Sequence, residues 1–305
     1  MARRRARGRD VSGILLLDKP AGITSNAALQ RVKRLFFASK AGHTGSLDPI
    51  ATGLLPICLG EATKVSAYLL DADKGYLVTI KLGQKTTTAD CEGEMIEPRP
   101  VPEVSRAQLE QLLAGFLGEI DQVPPMYSAL KKDGRPLYEL ARQGIEVERQ
   151  PRRVIIHSLK LLEQRADEID LEVICSKGTY IRTLAEDLGD GLGCGAHVKR
   201  LRRTLTGSFE LSRAVTLDEL ERIRDEAPAE ALDRYLLPVD SALQAWPGVS
   251  LTRDMTYYLR HGQAVLVPRA PTSGLVKLYG SEHEFLGIGH ILDDGRVAPK
   301  RLIAS

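Results

Sequence analysis

Gly42-His43-Thr44-Gly45-Ser46-Leu47-Asp48-Pro49-Ile50-Ala51-Thr52-Gly53, running on as LLPICLGEATK to Lys64, is the stretch on which the reading of this chain turns. Its glycines give the backbone freedom to pass close to a ligand. Pro49 biases the residue before it towards extended geometry and has no N–H of its own, so Asp48 is aimed by its loop. The same local pattern fits an aspartate capping a helix that begins at Pro49, and capping is compatible with catalysis.

Working outward, residues 13–18 (GILLLD) read as a buried strand that enters a turn at Lys19-Pro20. Ser25 has the character of a cap for a helix placing Ala28, Leu29, Val32, Leu35 and Phe36 on one face. Residues 76–82 put Tyr76, Val78, Ile80 and Leu82 on one side of a strand. The spacing of Leu109, Leu112, Leu113, Phe116, Leu117 and Ile120 predicts an amphipathic helix, ended by Pro124-Pro125. Strands are expected at 154–162 and 169–175, a helix around Ile181–Leu188, and another starting at a Thr216/Glu219 capping box. There is no regular β-α-β rhythm, no G-x-G-x-x-G and no P-loop. The expectation is an α+β domain on a mixed, largely antiparallel sheet. Pro238–Gly248 (PVDSALQAWPG) marks a boundary. Beyond it, a helix capped by Thr252 and ended by Gly262, with strands near 264–267, 275–279, 285–291 and 296–302, describes a small β-rich module.

A chain of 305 residues, 43% hydrophobic and 27% charged, has the balance of a soluble globular protein. No apolar run approaches the roughly 20 residues that span a bilayer. The arginine-rich start lacks the apolar segment of a secretory signal. Cys58, Cys91, Cys175 and Cys194 form no C-x-x-C pair, which argues for reduced thiols in the cytoplasm and against a disulfide framework or a zinc site. Net charge is only +2, but cations cluster: Arg3, Arg4, Arg5, Arg7 and Arg9 in a flexible tail over 1–10; Lys199, Arg200, Arg202 and Arg203 around Leu201; and seven between Pro124 and Arg153. Such clusters suit phosphates along one face, although a charge run is more often just solvated surface.

Other candidates are weaker on pattern alone. Tyr76 lies on the apolar side of its strand, as a core tyrosine or as a stacking platform for a base. Arg182 sits in the first turn of a helix, where the macrodipole disfavours a cation and a carboxylate partner would offset the cost. His43 is a lone loop histidine, and no histidine has metal-ligand spacing.

With these residues in place, the stretch from Gly42 to Lys64 resembles the signature of the TruB family of tRNA pseudouridine synthases. Five further blocks resemble that family in the same order: LLLDKPAGITS (15–25), KGYLVTIKLGQKTTTAD (74–90), VPPMYSALKKDGRPLYELARQG (123–144), CSKGTYIRTLAEDLG (175–189) and GAHVKRLRRTLTGSF (195–209). The resemblance covers about 11–210. It implies a catalytic domain of pseudouridine synthase type over 11–248, with helices and loops around a central cleft and an RNA-clamping insertion at about 124–153. It also implies, more loosely, a PUA-like RNA-binding domain over 249–305.

The activity implied is isomerisation of uridine 55 in the T loop of tRNA, flipped out of its stack. Asp48 is the implied catalytic carboxylate, by attack at C1′, by attack at C6 or by electrostatic assistance. Arg182 is implied as its partner, and Tyr76 as the residue that stacks on the uracil and helps remove the C5 proton. His43 is implied within the RNA loop, and Tyr180 and Leu201 as walls of the uracil pocket. Lys19, Pro20 and Thr44 support the loop. Neither cofactor nor metal is implied; the expected partner is the tRNA T stem-loop, without membrane or guide RNA, and the expected state is a monomer. A base-exchanging transglycosylase, a non-catalytic tRNA chaperone and a guide-dependent relative are the competing readings. The intact Asp48, Tyr76 and Arg182 set favours the synthase.

Overall fold

A computed structural model describes residues 8–303. Residues 1–7 of the expected basic tail lie outside it. Arg9 does not belong to a free tail: its guanidinium reaches Asp233 at 2.6 Å and its backbone bridges to Ala38.

The apolar run after Val11 becomes strand β1 (Gly13–Lys19), buried on both faces. Leu15 and Leu17 enter one core with Val32, Ile57 and Val78, while Ile14 and Leu16 enter another with Leu54 and Phe209. A strand with a core on either side has no polar face, which is why its sequence does not alternate. Helix α1 (Ser25–Leu35) follows, but its cap is Thr24, whose hydroxyl accepts the Ala27 N–H at 3.1 Å. The expected cap, Ser25, is buried and has another task, described below. Strands β2 (Ala41–His43) and β3 (Thr52–Leu59) pair antiparallel and hold the Asp48 loop between them. Helix α2 (Ser66–Leu70) leads to β4 (Lys74–Leu82), then to a small hairpin of β5 (Gln84–Thr86) and β6 (Met95–Pro98).

The helix expected over 109–120 is shorter than its apolar spacing suggested. Helix α3 (Arg106–Ala114) stops at Gly115, and Gly118, at φ +85°, opens strand β7 (Gly118–Gln122), which contains Ile120. Two glycines outweigh the periodicity here. The basic segment forms a hairpin of β8 (Lys131–Lys132) and β9 (Arg135–Pro136), turned at Asp133-Gly134 with both φ positive, and a short helix α4 (Leu137–Ala141).

Long strands β10 (Arg152–Gln164) and β11 (Glu168–Cys175) are followed by α5 (Ile181–Gly191), β12 (Ala196–Thr206), β13 (Phe209–Glu210), β14 (Val215–Thr216), α6 (Leu217–Glu226) and β15 (Leu236–Leu237). Thr216 caps α6 by accepting the Glu219 N–H at 3.2 Å; the Glu219 carboxylate engages Arg222 and Tyr235.

The resulting fold is α+β around one large, mostly antiparallel sheet of order β14-β1-β3-β12-β4-β11-β10-β7, with β2, β13 and β15 attached at its sides. Strands β3 and β12 touch through only two register pairs, Thr52 with Arg202 and Gly53 with Arg203. The sheet therefore parts at its middle, beside the Asp48 loop.

A second, four-stranded sheet is built from β16 (Gly248–Ser250), β17 (Leu275–Tyr279), β18 (Phe285–Ile291) and β19 (Val297–Leu302), with α7 (Arg253–Arg260) capped by Thr252 and ended near Gly262. Residues 264–267 are not the strand expected there. Val265 makes a single bridge to Val297, and the fourth strand is β16, parallel to β17. The boundary segment 238–248 is packed as well: Leu243 lies with Val65 and Ile288, and Trp246 meets the Tyr68 ring edge-on at 4.6 Å. Among the described residues no helix is long and apolar enough to cross a membrane.

Candidate active site

The Asp48 loop is tied down along its length by groups that a sequence pattern does not expose. The Thr44 N–H donates to Pro56 O at 3.2 Å. The Ser25 hydroxyl accepts the Leu47 N–H at 2.7 Å and donates to Leu47 O at 3.0 Å, so the residue expected as a helix cap clamps the loop next to Asp48. Gly22 N–H donates to Pro49 O at 2.9 Å. Lys19, fully buried, sends its ammonium to Pro20 O at 2.9 Å, Ile23 O at 2.7 Å and Pro49 O at 3.4 Å. Desolvation pushes that lysine down to about 8, while the nearby Asp48 charge pulls the other way. Pro20 lies in the turn so braced. No helix begins at Pro49: Ala51 N–H returns to Asp48 O at 3.0 Å in a tight turn, so Asp48 is presented by a turn and caps nothing.

Arg182 is 5% exposed and its Nε lies 2.9 Å from Asp48 Oδ2, whose side chain is 38% exposed. Its Nη1 donates to Thr88 O at 2.9 Å and its Nη2 to Tyr127 O at 2.6 Å. A second carboxylate, Asp90, lies 3.8 Å from Nη1. Two carboxylates and two carbonyls thus offset the cost of a cation in the first turn of α5. The guanidinium is fixed by groups on three loops and aims the carboxylate it holds. Burial pushes the Asp48 carboxyl above its ordinary range; Arg182 opposes that, and Asp90 adds to it. The site keeps a partly desolvated carboxylate paired to a rigid cation but still open on one side.

Tyr76 stands on β4, 9% exposed, on the same side as Val78 and Ile80. Its neighbour across the ladder is Arg203, and that of Val78 is Leu201. Burial pushes the Tyr76 phenol up, and Arg203 draws it down. Tyr180 occupies the cap position of α5, with its N–H donated to Gln122 Oε1 at 3.0 Å. His43, on β2, has a buried Nδ1 without a hydrogen-bond partner among the described residues, and burial pushes its ring towards the neutral form. A groove of about 670 Å³ runs alongside, with Ile50, Val78 and Leu201 on its apolar side and Lys199, Arg200 and Arg202 on its rim.

The structure therefore places Asp48 directly on Arg182, lines Tyr76 and Leu201 up across neighbouring strands, and puts Lys19, Pro20 and Thr44 under the loop. The sequence reading missed Ser25 in this role, Asp90, and Arg203. It grouped Arg203 with surface cations, yet Arg203 is 1% exposed, with Nε donating to Leu54 O at 2.7 Å and Nη2 to Gly45 O at 3.3 Å. Strand parity was the available signal: Arg203 shares the side of Leu201, while Arg200 and Arg202 face outward. Arg202 is paired with Asp18 at 2.6 Å and Lys199 with Glu168, so part of that cationic rim is already engaged within the protein.

Comparisons with known proteins agree along the whole chain. Residues 33–181 match the family described as TruB family pseudouridylate synthase, N terminal domain. Residues 182–244 match the tRNA pseudouridylate synthase B C-terminal domain, and 247–303 match pseudouridine synthase II TruB, C-terminal. The chain is 61% identical to tRNA pseudouridine synthase B of Stutzerimonas stutzeri, over 97% of each chain. It is 58% identical to the protein of that name from Nitrosococcus oceani, over 99% of this chain and 98% of the relative. Among solved structures, a Cbf5-Nop10-Gar1 complex is similar with a TM-score of 0.71 and 26% identity, over 96% of this chain and 84% of that one. An H/ACA RNP bound to a substrate RNA containing 2′-deoxyuridine shares the fold, with a TM-score of 0.73 and 23% identity, over 100% of this chain and 92% of that one. Successive family matches from residue 33 to residue 303, with near-full-length relatives about 60% identical, establish that the chain belongs to the TruB family of pseudouridine synthases.

Proposed function

We propose that this isomerase converts uridine 55 in the T loop of tRNA to pseudouridine, with Asp48 driving cleavage of the N1–C1′ bond. The uracil turns and C5 joins C1′, so the nucleotide keeps its mass and needs neither oxidant nor energy source. The relatives' name carries the tRNA substrate. The observation that carries Asp48 is its carboxylate, 38% exposed, held at 2.9 Å by a guanidinium that is itself almost wholly buried.

On this reading the uridine leaves its stack, at a cost of a few kcal/mol, and enters beside Asp48. Tyr76 stacks on the ring and takes the C5 proton, Tyr180 and Leu201 wall the pocket, and His43 occupies the space left in the RNA loop. Its neutral ring with an unpartnered Nδ1 suits that place, since a base edge or a sugar hydroxyl can supply the missing bond. Residues 11–248 form the catalytic domain, the segment at 124–153 closes over the RNA, and 249–305 act as a PUA-like module that grips the acceptor end of the tRNA. Outside the flipped base, binding rests on phosphates and on the shape of the T arm.

The test is incubation with an unmodified T-arm stem-loop, followed by chemical mapping of pseudouridine. Wild type is expected to convert one uridine, and Asp48→Asn to bind RNA but convert none. Appreciable turnover by Asp48→Asn would exclude Asp48 from the central role, and conversion at another uridine would exclude the assignment to position 55.

A further inference from the structure

Arg203 is the anomaly of this site. It is 1% exposed, yet among the described residues no carboxylate lies within ion-pair distance of it. A buried cation without a counter-charge is costly, and a protein retains one where its field is used. What surrounds it is specific. Nε donates to Leu54 O at 2.7 Å and Nη2 to Gly45 O at 3.3 Å, so one guanidinium spans both ends of the loop that carries Asp48. Its backbone pairs with Gly53 on one side and with Tyr76 on the other. Gly53, at φ +97°, has no room for a Cβ, which would strike the Arg203 carbonyl oxygen. Tyr76 faces Arg203 across the ladder, and Arg203 draws its phenol down against the burial that raises it.

We propose that Arg203 is a positioning residue for the reaction, locking the Tyr76 phenol to the Asp48 loop and supplying the positive charge against which Tyr76 acts as base at C5. This rests on the reading of Tyr76 given above. After C5 has bonded to C1′, the C5–H bond breaks and its electron pair restores the C5–C6 double bond, while the N1–C6 π pair withdraws to N1, which takes up a proton from solvent. The Tyr76 oxygen takes the C5 proton as its own phenolic proton is released to solvent, so the residue begins and ends the step as the neutral phenol while Arg203 offsets the negative charge that develops on its oxygen. A phenolate in a buried, apolar setting needs a nearby cation, and Arg182 is already committed to Asp48. Lys19, also buried, is spent on three carbonyls under the Asp48 loop, which leaves Arg203 as the cation that faces Tyr76.

The experiment compares single-turnover conversion of T-arm stem-loops carrying uridine or [5-²H]uridine by wild type, Tyr76→Phe, Arg203→Gln and Arg203→Lys. Loss of assisted proton removal is expected to slow Arg203→Gln by about 10²-fold, the usual worth of a positioned general base, and to raise its deuterium isotope effect above that of wild type. Arg203→Lys keeps the charge but lacks the planar fork whose Nε and Nη2 reach Leu54 O and Gly45 O separately, so its rate and isotope effect should fall between the two. A merely structural arginine would slow both variants while leaving the isotope effect at the wild-type value, and that result overturns the proposal. So does a wild-type rate in either variant. Should Arg203→Gln fail to fold, Arg203→Lys is judged by the same criteria. Wild-type conversion by Tyr76→Phe would instead sink the underlying reading of Tyr76, which keeps the two failures distinguishable.

Discussion

Replacing Arg182 by methionine removes the cation while keeping much of the side-chain volume, and the structure sets the size of the loss. At the 2.9 Å separation from Asp48, the pair is worth about 6 kcal/mol at an effective dielectric of about 20. Because the Asp48 side chain is 38% open to solvent, screening reduces this to about 2 kcal/mol. If Asp48 must be ionised and aimed in the transition state, that loss slows conversion by about 30-fold. Asp90 deepens the effect, since without Arg182 the two carboxylates face each other unneutralised. The pH dependence has a definite sign. Burial already raises the Asp48 carboxyl and Arg182 holds it down, so removing Arg182 raises it further. The acid limb of the pH–rate profile should therefore move to higher pH, and raising the pH should restore part of the lost rate. Thr88 O and Tyr127 O also lose their donor, costing about 1 kcal/mol of stability each. The assay is single-turnover conversion of a T-arm stem-loop across pH, with a denaturation curve for each variant. A wild-type rate, or an acid limb displaced to lower pH, refutes the argument.

Three further outcomes are expected. Above about 8, Lys19 loses its proton in the folded state and its bonds to three carbonyls weaken, so wild-type activity should fall on the alkaline side while Lys19→Met, already slow, shows no such limb. Its folded value lies below its ordinary one, so the charged form is the disfavoured one on folding and stability rises with pH through that window; the fall in rate should therefore occur without unfolding, which circular dichroism can check. Gly53→Ala forces a side chain into φ +97° against the Arg203 carbonyl and should cost about 3 kcal/mol in urea denaturation; a neutral result would mean the loop relaxes freely. Ile288→Ala opens a cavity between β18 and the body of the protein, costing about 2–4 kcal/mol. Measured by RNA titration and single turnover, it should weaken binding more than it changes the chemical step, and the reverse pattern would contradict the proposed role of residues 249–305.

The sequence by itself settled what local chemistry settles. Proline after Asp48, glycines around it and the ordered motifs marked the loop, strand parity put Tyr76 inside, and the resemblance pointed to Leu201. The first-turn position of Arg182 asked for a carboxylate, and Asp48 is that carboxylate. Local pattern misled where two signals competed: Ser25 and Thr24 are both good caps, and only the approach of Leu47 decides which hydroxyl is free to cap α1. The helix read through Gly115 to Ile120 followed apolar spacing that a strand can also satisfy when it packs on the same core. Tertiary structure alone decided that Arg203, 155 residues along the chain from Asp48, lies under its loop, and that Asp90 shares Arg182. Those contacts depend on β12 lying between β3 and β4, an order fixed by long-range strand pairing and the two-sided core, which no window of neighbouring residues encodes.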